Sequence, residues 1–159
     1  MVSKYNLSFT QNEINFTFYN LRMIMKLPSS NYIIQPTLIR RASTVSIAIC
    51  MPRGHTDLLY ALDQDMHWSD INYGLHHLAR GLHWLHEHNI AHRDIKPDNV
   101  VIDQGEFKWI DFDYSSSLDD WIYCGTKHYA MPISICHQWQ CSNASRSKRM
   151  DVYAFGKTI

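Results

Sequence analysis

Two polar clusters that bracket one short hairpin constrain this chain more than any other feature. The first is His92-Arg93-Asp94-Ile95-Lys96-Pro97-Asp98-Asn99, and the second is Asp111 in Ile110-Asp111-Phe112. Between them, Val100-Val101-Ile102 is an apolar, β-branched run that reads as a strand. Asp103-Gln104-Gly105 reads as a turn, and Phe107 to Ile110 as the returning strand. A hairpin of that length carries Asn99 and Asp111 back to the same end. The fold must therefore present a carboxylate, an ammonium, an amide and a second carboxylate in one place.

That set suits phosphoryl transfer from a metal-bound nucleotide. Such a reaction needs positioning and charge neutralisation more than covalent chemistry from the protein. Asp94 can accept the hydrogen bond of an acceptor hydroxyl. Lys96 can reach a transferring phosphate as a point charge. Asn99 and Asp111 offer hard oxygen ligands, which suit Mg²⁺. The order and spacing resemble those of protein kinases, H-R-D-x-K-x-x-N followed by D-F-G, and Lys96 resembles the serine/threonine type rather than the tyrosine type. The resemblance implies ATP and Mg²⁺ as cofactors. It makes Asp94 and Lys96 the catalytic pair, with Lys96, Asn99 and Asp111 binding the cofactors and Asn99 and Asp111 holding the metal.

The likeness extends on both sides. Ser69 can cap a helix, and Ile71, Leu75, Leu78, Leu82 and Leu85 follow at helical spacing up to an end near His88-Asn89. This resembles the long helix before the kinase catalytic loop. Gly125-Thr126-Lys127-His128-Tyr129-Ala130-Met131-Pro132 resembles the end of an activation segment, where the family's threonine bonds the catalytic aspartate and lysine. Asp151-Val152-Tyr153-Ala154-Phe155-Gly156 resembles the start of the large lobe's central helix. By resemblance Asp151 ties to the catalytic-loop backbone; the simpler expectation is an aspartate favoured by the dipole at a helix N-terminus. Upstream, Thr44 to Met51 reads as a strand ended by Pro52-Arg53-Gly54, and Asp57 to Leu62 returns to helical spacing. Phe18 to Leu27 reads as a small-lobe helix and Tyr32 to Pro36 as the strand after it. The run Met51 to Leu58 also resembles kinases of herpes-like large DNA viruses.

The expected fold is therefore α+β and protein-kinase-like. Residues 1–52 form a small-lobe remnant, and residues 53–159 a partial, mainly helical large lobe that carries the hairpin. The chain is expected to be truncated at both ends. No glycine precedes Gly54, so no glycine-rich loop can wrap backbone amides over nucleotide phosphates. Lys4 and Lys26 are the only early lysines, and the place expected for a helix glutamate falls near Asn20 or Leu21. Asp113 stands where the family has glycine, which costs backbone freedom and adds negative charge. Ile133 stands where the family usually has glutamate. Trp121, Trp139 and Phe155 are candidates for an exposed apolar surface.

Charge and cysteine content narrow the partners. Fifteen basic and fifteen acidic residues cancel, so nothing points to nucleic acid. The chain has no run long enough to span a membrane and no signal peptide. Cys50, Cys124, Cys136 and Cys141 show no Cys-x-x-Cys pair, which reads as reduced thiols in an intracellular protein, cytoplasmic or nuclear. His83, His86 and His88 cluster near a helix end, as a metal site or, more simply, as solvated imidazoles. Arg40-Arg41-Ala42-Ser43 reads as an exposed turn between strands or as a basophilic substrate site. Ser115, Ser116 and Ser117 read as a polar loop or as phosphosites opposite Arg93, and Ser142 to Arg149 as a polar loop. Three functions stay open: an ATP- and Mg²⁺-dependent serine/threonine protein kinase acting on a protein substrate, an inactive truncated mimic that modulates a partner kinase, and a gene fragment.

Overall fold

A computed structural model of the chain describes residues 2–3, 10–43, 46–138 and 140–158. Trp139 and the first two residues of the expected strand at 44–51 lie outside the described residues.

After a two-residue strand β1 (Val2–Ser3), helix α1 (Gln11–Met25) begins seven residues earlier than the apolar spacing alone suggests. The reason is a capping box. Glu13 N donates to Thr10 Oγ1, and Thr10 N donates back to Glu13 Oε2 at 2.7 Å, so two orphan amide groups are satisfied together. Ile14, Leu21 and Ile24 form the buried face. Strands β2 (Leu38–Ser43) and β3 (Ser46–Cys50) pair antiparallel, and β1 lies on the other edge of β3. Arg40 to Ser43 therefore lies in a strand, not in a turn. Tyr32 to Pro36 does not form the expected strand. It makes a single parallel bridge, Ile33 to Trp109, because Pro36 has no amide to donate and Gln35 turns away. The Gln35 side chain instead donates to Ile24 O and Leu27 O, both at 3.0 Å, and so closes the end of α1.

Strand β4 (Thr56–Asp57) leads into helix α2 (Leu58–Asp63), which is capped by Asp57 accepting from Tyr60 N at 2.7 Å. Helix α3 runs Trp68–Glu87. Its N-cap is His67, whose Nδ1 accepts from Ser69 N; Ser69 is already helical. Leu78, Leu82 and Leu85 are buried as the spacing predicts, whereas Ile71 and Leu75 are only half-buried near the open end.

Strand β5 (Ile90–Ala91) follows, then a single 3₁₀ turn at Pro97–Asn99 and the hairpin of β6 (Val100–Asp103) and β7 (Glu106–Trp109). The hairpin turn is the two residues Gln104 and Gly105. Both have positive φ (53° and 80°), which matches the right-handed twist of the flanking strands. Two glycines on α3 let the hairpin lie close. A Cβ at Gly74 would sit 2.4 Å from the Phe107 ring, and one at Gly81 would sit 3.2 Å from Trp109. Trp109 is fully buried and donates its indole N–H to Leu78 O. β4 joins the hairpin to make a three-stranded sheet.

Strand β8 (Ser116–Ser117) pairs back on β5. The chain ends in α4 (Ile133–His137) and α5 (Asn143–Thr158). Residues 143–149, expected as a loop, are the first two turns of α5. Leu21, Ile24, Ile33 and Ile49 join Leu78, Leu82, Trp109 and Phe112 in one continuous core. Phe155 is half-buried against that core, and Trp121 is 39% exposed. No described helix is long and apolar enough to cross a membrane.

Candidate active site

The loop from His92 to Asn99 is held from below by one buried carboxylate. Asp151, in the third turn of α5, accepts from His92 N at 2.9 Å, Arg93 N at 2.8 Å and His86 Nε2 at 2.8 Å. It is 1% exposed and sits mid-helix, so the helix-dipole reading does not apply. The same bonds explain His86, which is buried as a strut rather than solvated. His83 pairs with Glu87 on the surface, and His88 donates to Trp84 O and packs on the Trp84 ring. The three imidazoles thus go to three different tasks.

His92 ties the two clusters together. Its Nδ1 accepts from Asp94 N at 3.3 Å, and its Nε2 donates to Ile110 O at 3.1 Å. This requires a neutral ring, and complete burial pushes the imidazole pKa down, against the pull of Asp151 and Asp111. Ile110 N in turn donates to Asn99 O at 3.0 Å. Arg93 and Asp111 both adopt left-handed backbone (φ 69° and 61°), which is uncommon for these residue types and is held by the surrounding bonds.

Asp94 is the hub of the site. Its Oδ1 accepts from Thr126 Oγ1 at 2.7 Å and Thr126 N at 3.0 Å. Its Oδ2 accepts from Lys96 Nζ and from Asn99 Nδ2, both at 2.9 Å. Lys96 also donates to Thr126 Oγ1 at 3.0 Å. Burial alone pushes the Asp94 carboxyl up, but the bonds from Lys96 and Thr126 outweigh it and hold the group below the ordinary carboxylate range. Lys96 is likewise opposed by burial, yet Asp94 holds its ammonium above the ordinary value. The pair is therefore ionised across the neutral range.

Asp94, Lys96 and Asp111 line one cleft of about 610 Å³, with Glu13, Phe16 and Thr17 of α1 on the opposite wall. Asp111 is exposed there. Asn99 is only 4% exposed and sits behind Asp94. Both of its amide hydrogens go to Asp94, to the backbone carbonyl at 2.8 Å and to the carboxylate. Among the described residues nothing donates to Asn99 Oδ1 or to the Asp111 carboxylate. Their oxygens are hard donors that fit a divalent cation.

Asp113 also lines the cleft. Its φ is not positive, so the backbone here does not need glycine. The consequence of the substitution is electrostatic. Burial, with Asp111 adding to it, pushes the Asp113 carboxyl up to about 7. Asn20, at the place expected for a helix glutamate, is 1% exposed and donates to Asp113 O at 3.5 Å. A neutral amide suits that spot, because it can donate to the carbonyl and a carboxylate could not. Glu13, Phe16 and Thr17 escaped sequence reasoning. The only local sign of their helix turn was the Thr10/Glu13 capping spacing.

Ser115 and Ser116 are 0% and 1% exposed. Ser115 Oγ donates to His92 O, and Ser116 Oγ accepts from Arg93 Nε at 2.7 Å. They are structural members of the site, not a polar loop presenting phosphosites.

The sequence pattern of the protein kinase domain family matches residues 8–159. The chain belongs to the protein kinase domain family. Among curated kinases, it is 33% identical to the Wee1-like protein kinase of Arabidopsis thaliana over 87 residues, which cover 54% of this chain and 16% of that protein. It is 43% identical to the inhibitor of nuclear factor kappa-B kinase subunit beta of Bos taurus over 63 residues, or 35% of this chain and 8% of the relative. It is 36% identical to the cAMP-dependent protein kinase catalytic subunit of Dictyostelium discoideum over 85 residues, or 52% of this chain and 12% of that one. These matched stretches thus span a sixth or less of each relative's length. The family at large uses ATP with a divalent metal and acts on protein substrates.

Proposed function

We propose that this kinase domain carries a serine/threonine-type phosphotransferase site. One observation carries the reading: the Asp94 carboxylate is held ionised by Lys96 and Thr126 in the lining of the cleft. Asp94 orients an incoming side-chain hydroxyl and accepts its proton. Lys96, which also lines the cleft, meets the negative charge that develops on a transferring phosphoryl group. Asn99 and Asp111 would hold the metal. When bound, ATP with its divalent cation supplies the phosphoryl group and the neutralising charge. The Lys96–Thr126 bond, which gathers the lysine, the threonine and Asp94 into one cluster, supports the serine/threonine assignment.

The test is nucleotide binding followed by transfer. ATP with Mg²⁺ is expected to raise the thermal midpoint, and Asp111→Ala to remove that rise. Asp94→Asn is expected to keep binding and to abolish phosphate transfer to a serine- or threonine-containing protein. Wild-type transfer equal to that of Asp94→Asn sinks the proposal.

A second reading, a domain that modulates a partner kinase without transferring phosphate, is favoured by the buried carboxyl of Asp113 in the cleft wall and by the neutral Asn20 at the place expected for a glutamate. It predicts that wild type and Asp94→Asn are equally inert yet equally effective on a partner kinase.

A further inference from the structure

Arg93 is 4% exposed, yet every arm of its guanidinium is occupied. Nε donates to Ser116 Oγ at 2.7 Å and Nη1 to Ile122 O at 2.7 Å. Nη2 reaches Asp120 O at 2.7 Å, Ser117 O at 3.2 Å and Ser147 Oγ at 3.2 Å. Ser147 is fully buried in α5, one turn before Asp151, and donates its own hydroxyl to Leu118 O at 2.9 Å. Four carbonyls of residues 117–122 thus converge on one arginine and one serine. The backbone amide of the same Arg93 is bound by Asp151. A buried guanidinium needs acceptors, and here the chain supplies at least one to each of its three nitrogens.

An arginine so placed is also a ready phosphate receptor. The stretch 118–124, Leu-Asp-Asp-Trp-Ile-Tyr-Cys, offers it none. It contains no serine or threonine, and its tyrosine, Tyr123, donates to Met131 O at 2.9 Å. Ser116, the hydroxyl nearest the guanidinium, is buried. We propose that Arg93 and Ser147 are positioning residues that fasten residues 116–122 by their own carbonyls, so that Thr126 rests on Asp94 without any phosphorylation of the segment.

The consequence for catalysis rests on the phosphotransferase reading. The fastening itself is measured without catalysis. Hydrogen exchange is followed in protein whose mass shows no phosphate. The amides of Leu118, Asp120, Thr126 and Ala130, each bonded in the structure, are expected to exchange at least about 100-fold slower than in an unstructured chain. Arg93 Nε–H is expected as a resolved, slowly exchanging arginine resonance in nitrogen-15 spectra, unchanged by phosphatase treatment. In Arg93→Lys, a point donor replaces the fork, and segment exchange is expected to rise about tenfold or more with α3 unaffected. Ser147→Ala is expected to give a smaller rise in the same amides and serves alone if Arg93→Lys does not fold. Exchange of the phosphate-free segment at unstructured rates overturns the proposal. So does protection that appears only after phosphorylation, or exchange that neither variant changes. Protein that shows the expected protection but transfers no phosphate refutes the phosphotransferase reading and leaves the fastening standing.

Discussion

Replacing Asp113 by asparagine should stabilise the metal-free domain, and by an amount that grows with pH. The side chain lies in the cleft wall beside Asp111, and burial pushes its carboxyl from the ordinary 3.8 up to about 7. The folded state therefore disfavours the charged form. Below the unfolded value the group is protonated in both states and costs nothing. As pH rises past 3.8 the unfolded chain ionises first, so stability falls until the folded carboxyl ionises near 7 and the loss levels off. A separation of about three pH units corresponds to about 4 kcal/mol at 1.36 kcal/mol per unit. Cleft water relieves part of this, which leaves about 2–4 kcal/mol at pH 8. For a chain of this size that is about 5–10 °C in thermal midpoint. Asparagine keeps the shape and removes the charge. The assay is thermal or urea unfolding of wild type and Asp113→Asn in EDTA from pH 5 to pH 8. At pH 5 the gap should be clearly smaller than at pH 8. Only the difference between the proteins is read, because burial of neutral His92 makes both lose stability as pH falls through about 6.5. A gap that stays flat between pH 5 and pH 8 refutes the reasoning, since it would place the Asp113 charge in water.

Gly74→Ala pushes a methyl into the Phe107 ring at 2.4 Å, and should cost about 1–3 kcal/mol in urea unfolding despite the better helix propensity of alanine. Asp151→Ala strips three donors of their acceptor, and should cost about 3–5 kcal/mol and loosen exchange at His92 and Arg93 first. Cys124, whose thiol burial pushes up to about 11, should react with iodoacetamide at pH 8 about 100-fold more slowly than a thiol of ordinary pKa, as read by mass spectrometry.

The cluster around Asp94 and Asp111 was legible because its geometry is local. The hairpin period and the turn at Gln104-Gly105 bring Ile110 back to Asn99 whatever surrounds them. Helix α3 was legible from its leucines, although Gly74 and Gly81 in its buried face look like defects until Phe107 and Trp109 are seen lying on them. Three things failed for the same reason, that a long-range partner decided the outcome. Residues 32–36 had the composition of a strand, but only Ile33 finds a bridge. The serines at 115–117 had the composition of a loop, but Arg93 and β5 enclose them. The hydrophilic run 142–149 looked like a loop because its one inward position that matters, Ser147, is polar and meets an arginine rather than a leucine.

The cleft has few cations to offer an anionic ligand. Arg93 is turned inward and bonded to carbonyls, and Lys96 is held in part by Asp94. The cleft wall meanwhile carries Glu13, Asp94, Asp111 and Asp113 against that single lysine. An anionic nucleotide alone meets net repulsion there. A divalent cation at Asp111 would offset most of that charge, and it would also favour ionised Asp113 and so lower the penalty that Asp113 imposes on folding. Metal and nucleotide should therefore bind as a strongly coupled pair. Added Mg²⁺ should narrow the stability gap between wild type and Asp113→Asn at pH 8 before any nucleotide is present, and ATP without a divalent cation should leave the thermal midpoint where it was. A rise with ATP in EDTA would mean that some other cationic group reaches the phosphates and that the charge balance of the cleft is not as drawn from these side chains.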